Sequence, residues 1–279
     1  MNDPRLRARY GLKYDPFFPD VPAEDIWSAP DFDLFATRIE HLARQGGFAS
    51  IHGPNGSGKS KALQLLDARL RRIPDLSVGV MTRPQSSTGD FYRELGQLFA
   101  VDLSPANRYG GFRALRARWE THVQTHLLHP VLLIDEAQAM PTACLDELRL
   151  LGSTHFDSRC LLTTVLCGDE RLPERFRTRE LLPLGSRIRV RLHLRPLDKP
   201  ALRELLEHLL NRAGNPGLVT DGLKSVLVNH SAGNPRVLCT VASQLLAMAV
   251  DKDRPHLDEQ LFLDAFGRST GSKSARART

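Results

Sequence analysis

Eight consecutive residues have the composition and spacing of a phosphate-binding loop. The segment GPNGSGKS, residues 53–60, fits the pattern G-x-x-x-x-G-K-[ST] and lies between an apolar strand-like run and a helical pattern. Its glycines let the backbone wrap with N–H groups toward phosphates, and the following helix adds the positive end of its dipole. We therefore predict that a nucleotide is bound by Gly53, Pro54, Asn55, Gly56, Ser57, Gly58, Lys59 and Ser60.

A second motif supplies the acids that hydrolysis of a phosphoanhydride needs. Residues 131–136, VLLIDE, form an apolar run that ends in two carboxylates. We expect Asp135 and the Ser60 hydroxyl to hold Mg²⁺, Lys59 to reach the β- and γ-phosphates, and Glu136 to polarise the attacking water. ATP is favoured over GTP because the chain has no N/TKxD guanine-reading motif.

The elements around these motifs alternate between strand and helix. Strand-like runs are expected at 48–52, 77–82, 131–135, 161–167 and 187–194. Helical patterns are expected at 31–44, 59–72, 89–99, 112–126 and 141–151. Such alternation indicates an α/β fold with a five-stranded, mostly parallel sheet.

The chain divides into four predicted regions. Residues 1–45 form an extended N-terminal arm and a helix, residues 46–195 the α/β core, residues 196–267 a helical lid, and residues 268–279 a disordered basic tail. Lid helices are expected after Asp198 and near 220–230, 234–250 and 257–266.

Composition limits the class of protein. The 279 residues are 41% hydrophobic and 25% charged, with a net charge of +6, which permits contact with nucleic acid without requiring it. Lysine accounts for only seven of the 38 basic residues, and a GC-rich genome is an alternative source of this arginine bias.

The same composition predicts a cytoplasmic protein without a membrane span. No apolar run approaches the roughly 18–20 residues that a transmembrane helix needs, and the N-terminus lacks the apolar segment of a signal peptide. The four cysteines form no CxxC pair, so we expect reduced thiols and no zinc site.

The order of motifs and elements resembles that of the AAA+ ATPases, in which a helical lid follows a five-stranded core. The resemblance assigns Asp169 to the sensor-1 position, although many relatives have Asn, Thr or Gln there, with Thr163 and Thr164 in reserve. It assigns Arg187, in LGSRI, as the arginine finger of a neighbouring subunit, and Arg236, in GNPRVL, as sensor 2.

Each of these residues also has a simpler interpretation. Asp169 is suited to cap the next helix, and the arginines of the SRIRVRLHLR segment are suited to face solvent from an alternating strand. Arg236 begins a helix, where its charge opposes the helix dipole, and this conflict favours a functional role. In AAA+ proteins the N-terminal arm often lies against adenine, so Phe17 and Ile26 are candidates for that contact; the alternative is that the arm covers the sheet edge.

Further segments resemble ExeA-like ATPases, whose kin include the transposon ATPases of the TniB, TnsC, IstB and MuB type. These segments are YGLKYDPF at 10–17, TRPQSS at 82–87, DEAQAMP at 135–141 and LLPLGSRI at 181–188. The resemblance implies an ATP-dependent regulator of DNA transposition that forms a ring or helical filament on duplex DNA. It implies as partners a transposase and, in some systems, a target-selecting adaptor.

Largely sequence-independent DNA contacts are expected from arginines that follow the second strand, although a solvated helix face is the simpler interpretation of any one of them. The candidates are Arg83, Arg108, Arg113 and Arg116. Two other functions stay open: an ExeA-like secretion ATPase, and a nucleotide-gated adaptor with negligible hydrolysis. We expect no winged-helix or membrane domain after the lid, which argues against an origin-recognition ATPase and against the secretion role.

Overall fold

The computed structural model describes residues 4–84, 87–102, 108–126, 128–154 and 158–267. Within them, residues 28–195 form one compact unit, and residues 4–27 pack with residues 196–267 to form another. The first is called the sheet unit below and the second the helical unit.

A five-stranded parallel sheet organises the sheet unit. Its strands in chain order are β1 (Gly47–His52), β2 (Leu76–Met81), β3 (His129–Ile134), β4 (Thr163–Gly168) and β5 (Ile188–His193). They are arranged in the order β2-β3-β4-β1-β5, and every pairing within this sheet is parallel. The prediction of five strands in a mostly parallel α/β sheet is confirmed.

Both faces of this sheet are covered, which explains the continuous apolar runs of β3 and β4. Along β3, Leu132 and Ile134 join one apolar core, while Val131 and Leu133 join the core on the opposite face. The first face is covered by α4 (Thr88–Leu98), α5 (Arg108–Thr121), α6 (Thr142–Gly152), α7 (Arg171–Arg175) and α8 (Leu182–Gly185). The second is covered by α2 (Phe32–Gln45) and α3 (Lys59–Leu70).

Two local features of the sheet unit are not predicted by hydrophobic periodicity. Helix α5 passes into a π-helix over His122–His126, within the segment that the sequence assigned to one helix. A short antiparallel pair joins Ser153–Thr154 to Arg159–Cys160 after α6. None of the four cysteines forms a disulfide in the described part of the chain.

The helical unit contains α1 (Pro4–Tyr10), α9 (Lys199–Ala213), α10 (Asp221–His230), α11 (Pro235–Asp251) and α12 (Glu259–Phe266). Its four later helices begin where side chains satisfy the first free backbone N–H groups. The side chains that accept these hydrogen bonds belong to Asp198, Thr220, Asn234 and Asp258.

The N-terminal arm is a part of the helical unit and begins with a helix that the sequence analysis did not predict. Tyr10, Leu12, Tyr14 and Phe17 are buried in the same apolar core as the leucines of α9. Backbone bonds hold it there, since Lys13 N–H donates to Ala213 at 2.8 Å. The arm predicted as extended is therefore helical at its start and folded onto the later helices.

None of the helices in the described ranges is long and apolar enough to cross a membrane. The predicted tail, residues 268–279, lies outside the described residues.

Replacing a buried ring of the arm tests this packing. Phe17 is 4% exposed and its neighbour Phe18 is 42% exposed. We expect Phe17→Ala to destabilise the helical unit by about 3–5 kcal/mol, whereas Phe18→Ala should cost less than about 0.5 kcal/mol. Urea denaturation followed by circular dichroism measures both. Equal midpoints for the two variants would contradict the packing assignment.

Candidate functional site

The phosphate-binding loop connects the end of β1 to the start of α3. Gly56 and Gly58 have φ of 85° and 94°, a left-handed conformation that favours glycine. Lys59 is 7% exposed, and its Nζ donates to the carbonyls of Gly53 and Pro54 at 3.1 and 3.0 Å. The backbone of the loop therefore surrounds the Lys59 ammonium group, which places a positive charge at the centre of the loop.

Two further details concern the residues of the loop. A Cβ at Gly53 would lie 2.3 Å from the Leu194 carbonyl, so only glycine fits at this position. The Ser57 hydroxyl is buried and has no hydrogen-bond partner among the described residues. A buried hydroxyl is normally hydrogen-bonded, so this group matches a phosphate oxygen as its partner.

A hydroxyl and a carboxylate meet beside the loop. Ser60 Oγ donates to Asp135 Oδ2 at 3.0 Å, and Asp135 N–H donates to Met81 at the end of β2. These oxygen donors suit Mg²⁺, so Ser60 and Asp135 are the residues that would hold it. Asp135 also contacts the Cys167 thiol on β4; burial, and secondarily this carboxylate, raise the pKa of Cys167.

Glu136 is exposed and lies in a left-handed conformation, with φ of 53° and ψ of 34°. Gln138, which is 8% exposed, donates from Nε2 to Glu136 Oε2 at 2.5 Å. The same amide accepts from the Asp169 N–H at 3.2 Å through Oε1. Gln138 therefore ties the carboxylate proposed to activate water to the end of β4, a role that the sequence analysis missed.

The backbone around Gln138 is held in turn by Arg175. Its guanidinium donates to the Gln138 and Met140 carbonyls, both at 2.7 Å. A Cβ at Gly168 would lie 2.5 Å from Gln138 Oε1, so this close approach requires glycine on β4. The segment DEAQ, residues 135–138, contains a polar residue two positions after Glu136. The partners of this residue, Gln138, become evident only when the adjacent strands are packed together.

Asp169 has a charged partner within the sheet unit. Its carboxylate accepts the Arg171 N–H and makes a close ion pair with the Arg171 guanidinium, with Nη2 at 2.6 Å from Oδ2. These bonds to Arg171 hold the pKa of Asp169 below its usual range. Arg171 is the first residue of α7, so the Asp169 carboxylate satisfies a free N–H at the start of this helix, while Glu170 at the N-cap position makes no side-chain cap. A sensor-1 role for Asp169 stays a prediction.

The reserve residues lie at the other end of the same strand. Thr163 pairs with Gly47 at the start of β1, whereas Gly168 pairs with His52 at its end. The Thr163 hydroxyl donates to the Leu42 carbonyl at 3.2 Å. Thr163 and Thr164 are thus at the amino edge of the sheet, away from the phosphate-binding loop.

Arg187 also lies at the amino edge. It precedes Ile188, which pairs with Phe48 at the start of β1. Arg187 is half-buried and donates to the Pro183 carbonyl. Arg189 and Arg191 are exposed on β5, and Arg191 donates to the Gly185 carbonyl at 3.2 Å. A role of Arg187 as an arginine finger stays a prediction.

Within the helical unit, Arg236 is exposed at the start of α11. Asn234 Oδ1 accepts its backbone N–H at 3.0 Å. In the described part of the chain its guanidinium has no hydrogen bond or ion pair. A Cβ on the preceding Gly233, whose φ is 85°, would approach Leu197 to 2.9 Å, so the turn that presents Arg236 requires glycine.

The adenine candidates have different environments. Phe17 is buried in the core of the helical unit, and Ile26 is half-buried after a short 3₁₀ turn, Ala23–Asp25. The contacts give Phe17 a packing role, and an adenine contact by either residue stays a prediction.

The DNA candidates separate into two groups. Arg83 and Arg113 are exposed, and Arg113 lies over the ring of Tyr109, which is itself 71% exposed. Arg116, in contrast, donates to the Ser153 carbonyl at 2.5 Å and joins α5 to the end of α6. The Arg116 guanidinium is thus engaged in contacts within the sheet unit, and a DNA contact by Arg116 stays a prediction. The side chain of Arg108 lies outside the described residues.

Comparison with known proteins assigns the class of this fold. Residues 42–176 match the AAA domain family. Among solved structures, the chain is similar to Cdc6p from Pyrobaculum aerophilum, with a TM-score of 0.66 and 14% identity over 87% of this chain and 67% of that one. It is also similar to domain III of the replication initiation protein DnaA from Thermotoga maritima, with a TM-score of 0.60 and 17% identity over 90% and 97% of the two chains.

The fold is that of the AAA+ P-loop NTPases. Among curated proteins, the chain is 28% identical over 210 residues to general secretion pathway protein A from Aeromonas hydrophila. The match covers 73% of this chain, which spans 37% of the length of that relative.

The Gln138 bridge predicts a specific kinetic defect. Gln138→Ala removes a hydrogen bond to a carboxylate worth about 1.5 kcal/mol, so we expect kcat for ATP hydrolysis to fall about tenfold with unchanged ATP affinity. Phosphate release measures kcat, and a fluorescent ATP analogue measures binding. The control is Gln97→Ala at an exposed position of α4. An unchanged kcat in Gln138→Ala would refute the positioning role.

Proposed function

We propose that this chain is a Mg²⁺-dependent ATPase that works as a homo-oligomer, with Arg187 of one copy completing the site of the next. The observation that carries the proposal is the placement of Arg187 and the phosphate-binding loop at opposite ends of the parallel sheet. Six residues of β5 separate these ends, which is roughly 20 Å at about 3.3 Å per residue. Arg187 is too distant to reach phosphates bound to its own loop.

The residues of the site divide the chemistry among themselves. Lys59 and the loop N–H groups bind the β- and γ-phosphates, and Glu136 accepts the proton of the water that attacks the γ-phosphorus. The bond between the γ-phosphorus and the bridging oxygen breaks, leaving ADP and inorganic phosphate. Ser60 and Asp135 would hold Mg²⁺, which when bound would neutralise charge on the phosphate oxygens. Arg236 is the proposed sensor of the γ-phosphate within the same copy.

A mixing experiment tests the shared site. Arg187→Ala keeps an intact nucleotide site but lacks the finger, and Lys59→Ala keeps the finger but loses nucleotide binding. Each variant alone should lose at least about 10³-fold in kcat. Mixing the two should restore activity, because an interface between unlike copies combines a working site with a working arginine.

The matched control is Arg189→Ala, which removes an exposed arginine two residues further along β5. We expect it to retain wild-type activity. Full activity of Arg187→Ala at every protein concentration, or a mixture no more active than its components, would rule out the shared site.

We further propose that the oligomer forms on duplex DNA and delivers it to a transposase. The resemblance of the residues at 10–17, 135–141 and 181–188 to ExeA-like ATPases that accompany transposases supports this function. The exposed pair Arg113 and Tyr109 offers a cation and an aromatic ring on one helix, a surface suited to phosphates and sugars.

Similarity to general secretion pathway protein A supports a secretion ATPase as the second candidate. The two functions differ in their response to DNA. A transposition regulator should bind duplex DNA without sequence preference and hydrolyse ATP faster on it, whereas a secretion ATPase should ignore DNA. A nucleotide-gated adaptor should bind ATP tightly without turnover.

The DNA test compares steady-state ATPase activity with and without a duplex of random sequence. We expect stimulation that weakens as salt is raised, and a weaker salt dependence in an Arg83→Ala/Arg113→Ala double variant because phosphate contacts are lost. Arg72→Ala, at an exposed position after α3, is the control. Equal stimulation of the double variant and the control would remove these two arginines from the DNA surface, and no stimulation of the wild type would favour the secretion or adaptor function.

A further inference from the structure

Two histidines and a glutamate meet at the carboxyl edge of the sheet. His52 ends β1 and His193 ends β5, while Glu170 lies just beyond β4. The two imidazole rings are stacked, with centroids 4.7 Å apart and planes inclined by 13°. Glu170 Oε1 is 3.1 Å from His193 Nε2, and one ligand atom from each of the three residues lies within 4.8 Å of the others.

One ring nitrogen of the half-buried His52 lacks a protein partner in the described part of the chain. His52 Nδ1 is inaccessible to solvent and has no hydrogen-bond partner among the described residues. An unpaired buried nitrogen is costly unless something satisfies it, and a metal ion is a common partner of an imidazole nitrogen.

We propose that His52, Glu170 and His193 bind a divalent transition-metal ion, for which Zn²⁺ is the best match. Two imidazoles and one carboxylate are typical donors for Zn²⁺, whereas Mg²⁺ prefers oxygen donors such as Ser60 and Asp135. The side chains of His193 and Glu170 are 42% and 50% exposed, so water can supply the fourth ligand. A metal ion lies in the plane of an imidazole that binds it, so binding requires the stacked rings to turn out of their nearly parallel arrangement.

The position of the cluster suggests what such an ion does. His52 directly precedes Gly53 of the phosphate-binding loop, and its carbonyl accepts the Leu194 N–H at 2.8 Å. Glu170 directly follows Asp169. An ion held by all three residues links the ends of three adjacent strands and restrains the base of the loop. The cysteine pattern predicts no zinc site, but the parallel sheet assembles one from residues far apart in sequence.

Metal titration of the full chain tests the site without reference to ATP hydrolysis. We expect one Co²⁺ per chain, with the visible absorption of a four-coordinate ion, and displacement of Co²⁺ by Zn²⁺ but not by Mg²⁺. Glu170→Gln and His193→Gln should each weaken binding by at least about tenfold. Zn²⁺ should raise the Tm of the wild type and leave the Tm of the double variant unchanged.

The control is His256→Gln, which removes an exposed histidine of the helical unit and should bind Co²⁺ like the wild type. Glu170→Gln is conservative and exposed, so its metal-free Tm should match that of the wild type and exclude misfolding as the cause of lost binding. Absence of Co²⁺ binding by the wild type would overturn the proposal. Equal affinity in the wild type and both site variants would also overturn it, because the ion would then lie elsewhere.

Discussion

Parallel hydrogen bonding among β1, β3, β4 and β5 is the constraint on which the rest of the site depends. Because these strands run in one direction, their carboxyl ends bring the phosphate-binding loop, Asp135 and Asp169 to one edge of the sheet. Their amino ends carry Arg187 and Thr163 to the opposite edge. One register therefore explains why the polar residues of the proposed nucleotide site lie at one edge of the sheet and why Arg187 lies at the other.

The order of the strands adds a second level of organisation. β4 lies between β3 and β1, so the residues that follow β4 are within reach of those that follow β3. This adjacency permits Gln138 to connect Glu136 with the backbone of Asp169, and Arg175 to hold the carbonyl of Gln138. The paired charges of Asp169 and Arg171 complete the edge. Each contact satisfies a buried or half-buried polar group, so the acid proposed to activate water is held by a connected set of hydrogen bonds.

Local sequence was sufficient for the elements that have a strong local signal. The five strands and the helices α2 to α6 were expected within a few residues of their observed bounds, because apolar runs and helical periods arise from burial on one or both faces. The short helices α7 and α8 were not expected, since four or five residues carry too little periodicity to indicate a helix. The phosphate-binding loop was also evident, since its glycines and lysine are contiguous. The sequence analysis did not predict the helix at Pro4–Tyr10 or the packing of Phe17 against the later helices. The prolines and aromatic residues of this segment indicate an extended arm when their packing against α9 is not known.

Contacts between strands distant in sequence explain the remaining differences. No local pattern connects Gln138 with Asp169, or Arg116 with the carbonyl of Ser153, because these pairs form only after the helices have packed. The histidine cluster makes the same point most clearly. β1 lies between β4 and β5, so the residues that follow these two flanking strands lie close to His52. The same crossover topology that buries the apolar faces of the sheet places two imidazoles and a carboxylate at the base of the phosphate-binding loop. Neither composition nor motif spacing predicts that these three residues meet.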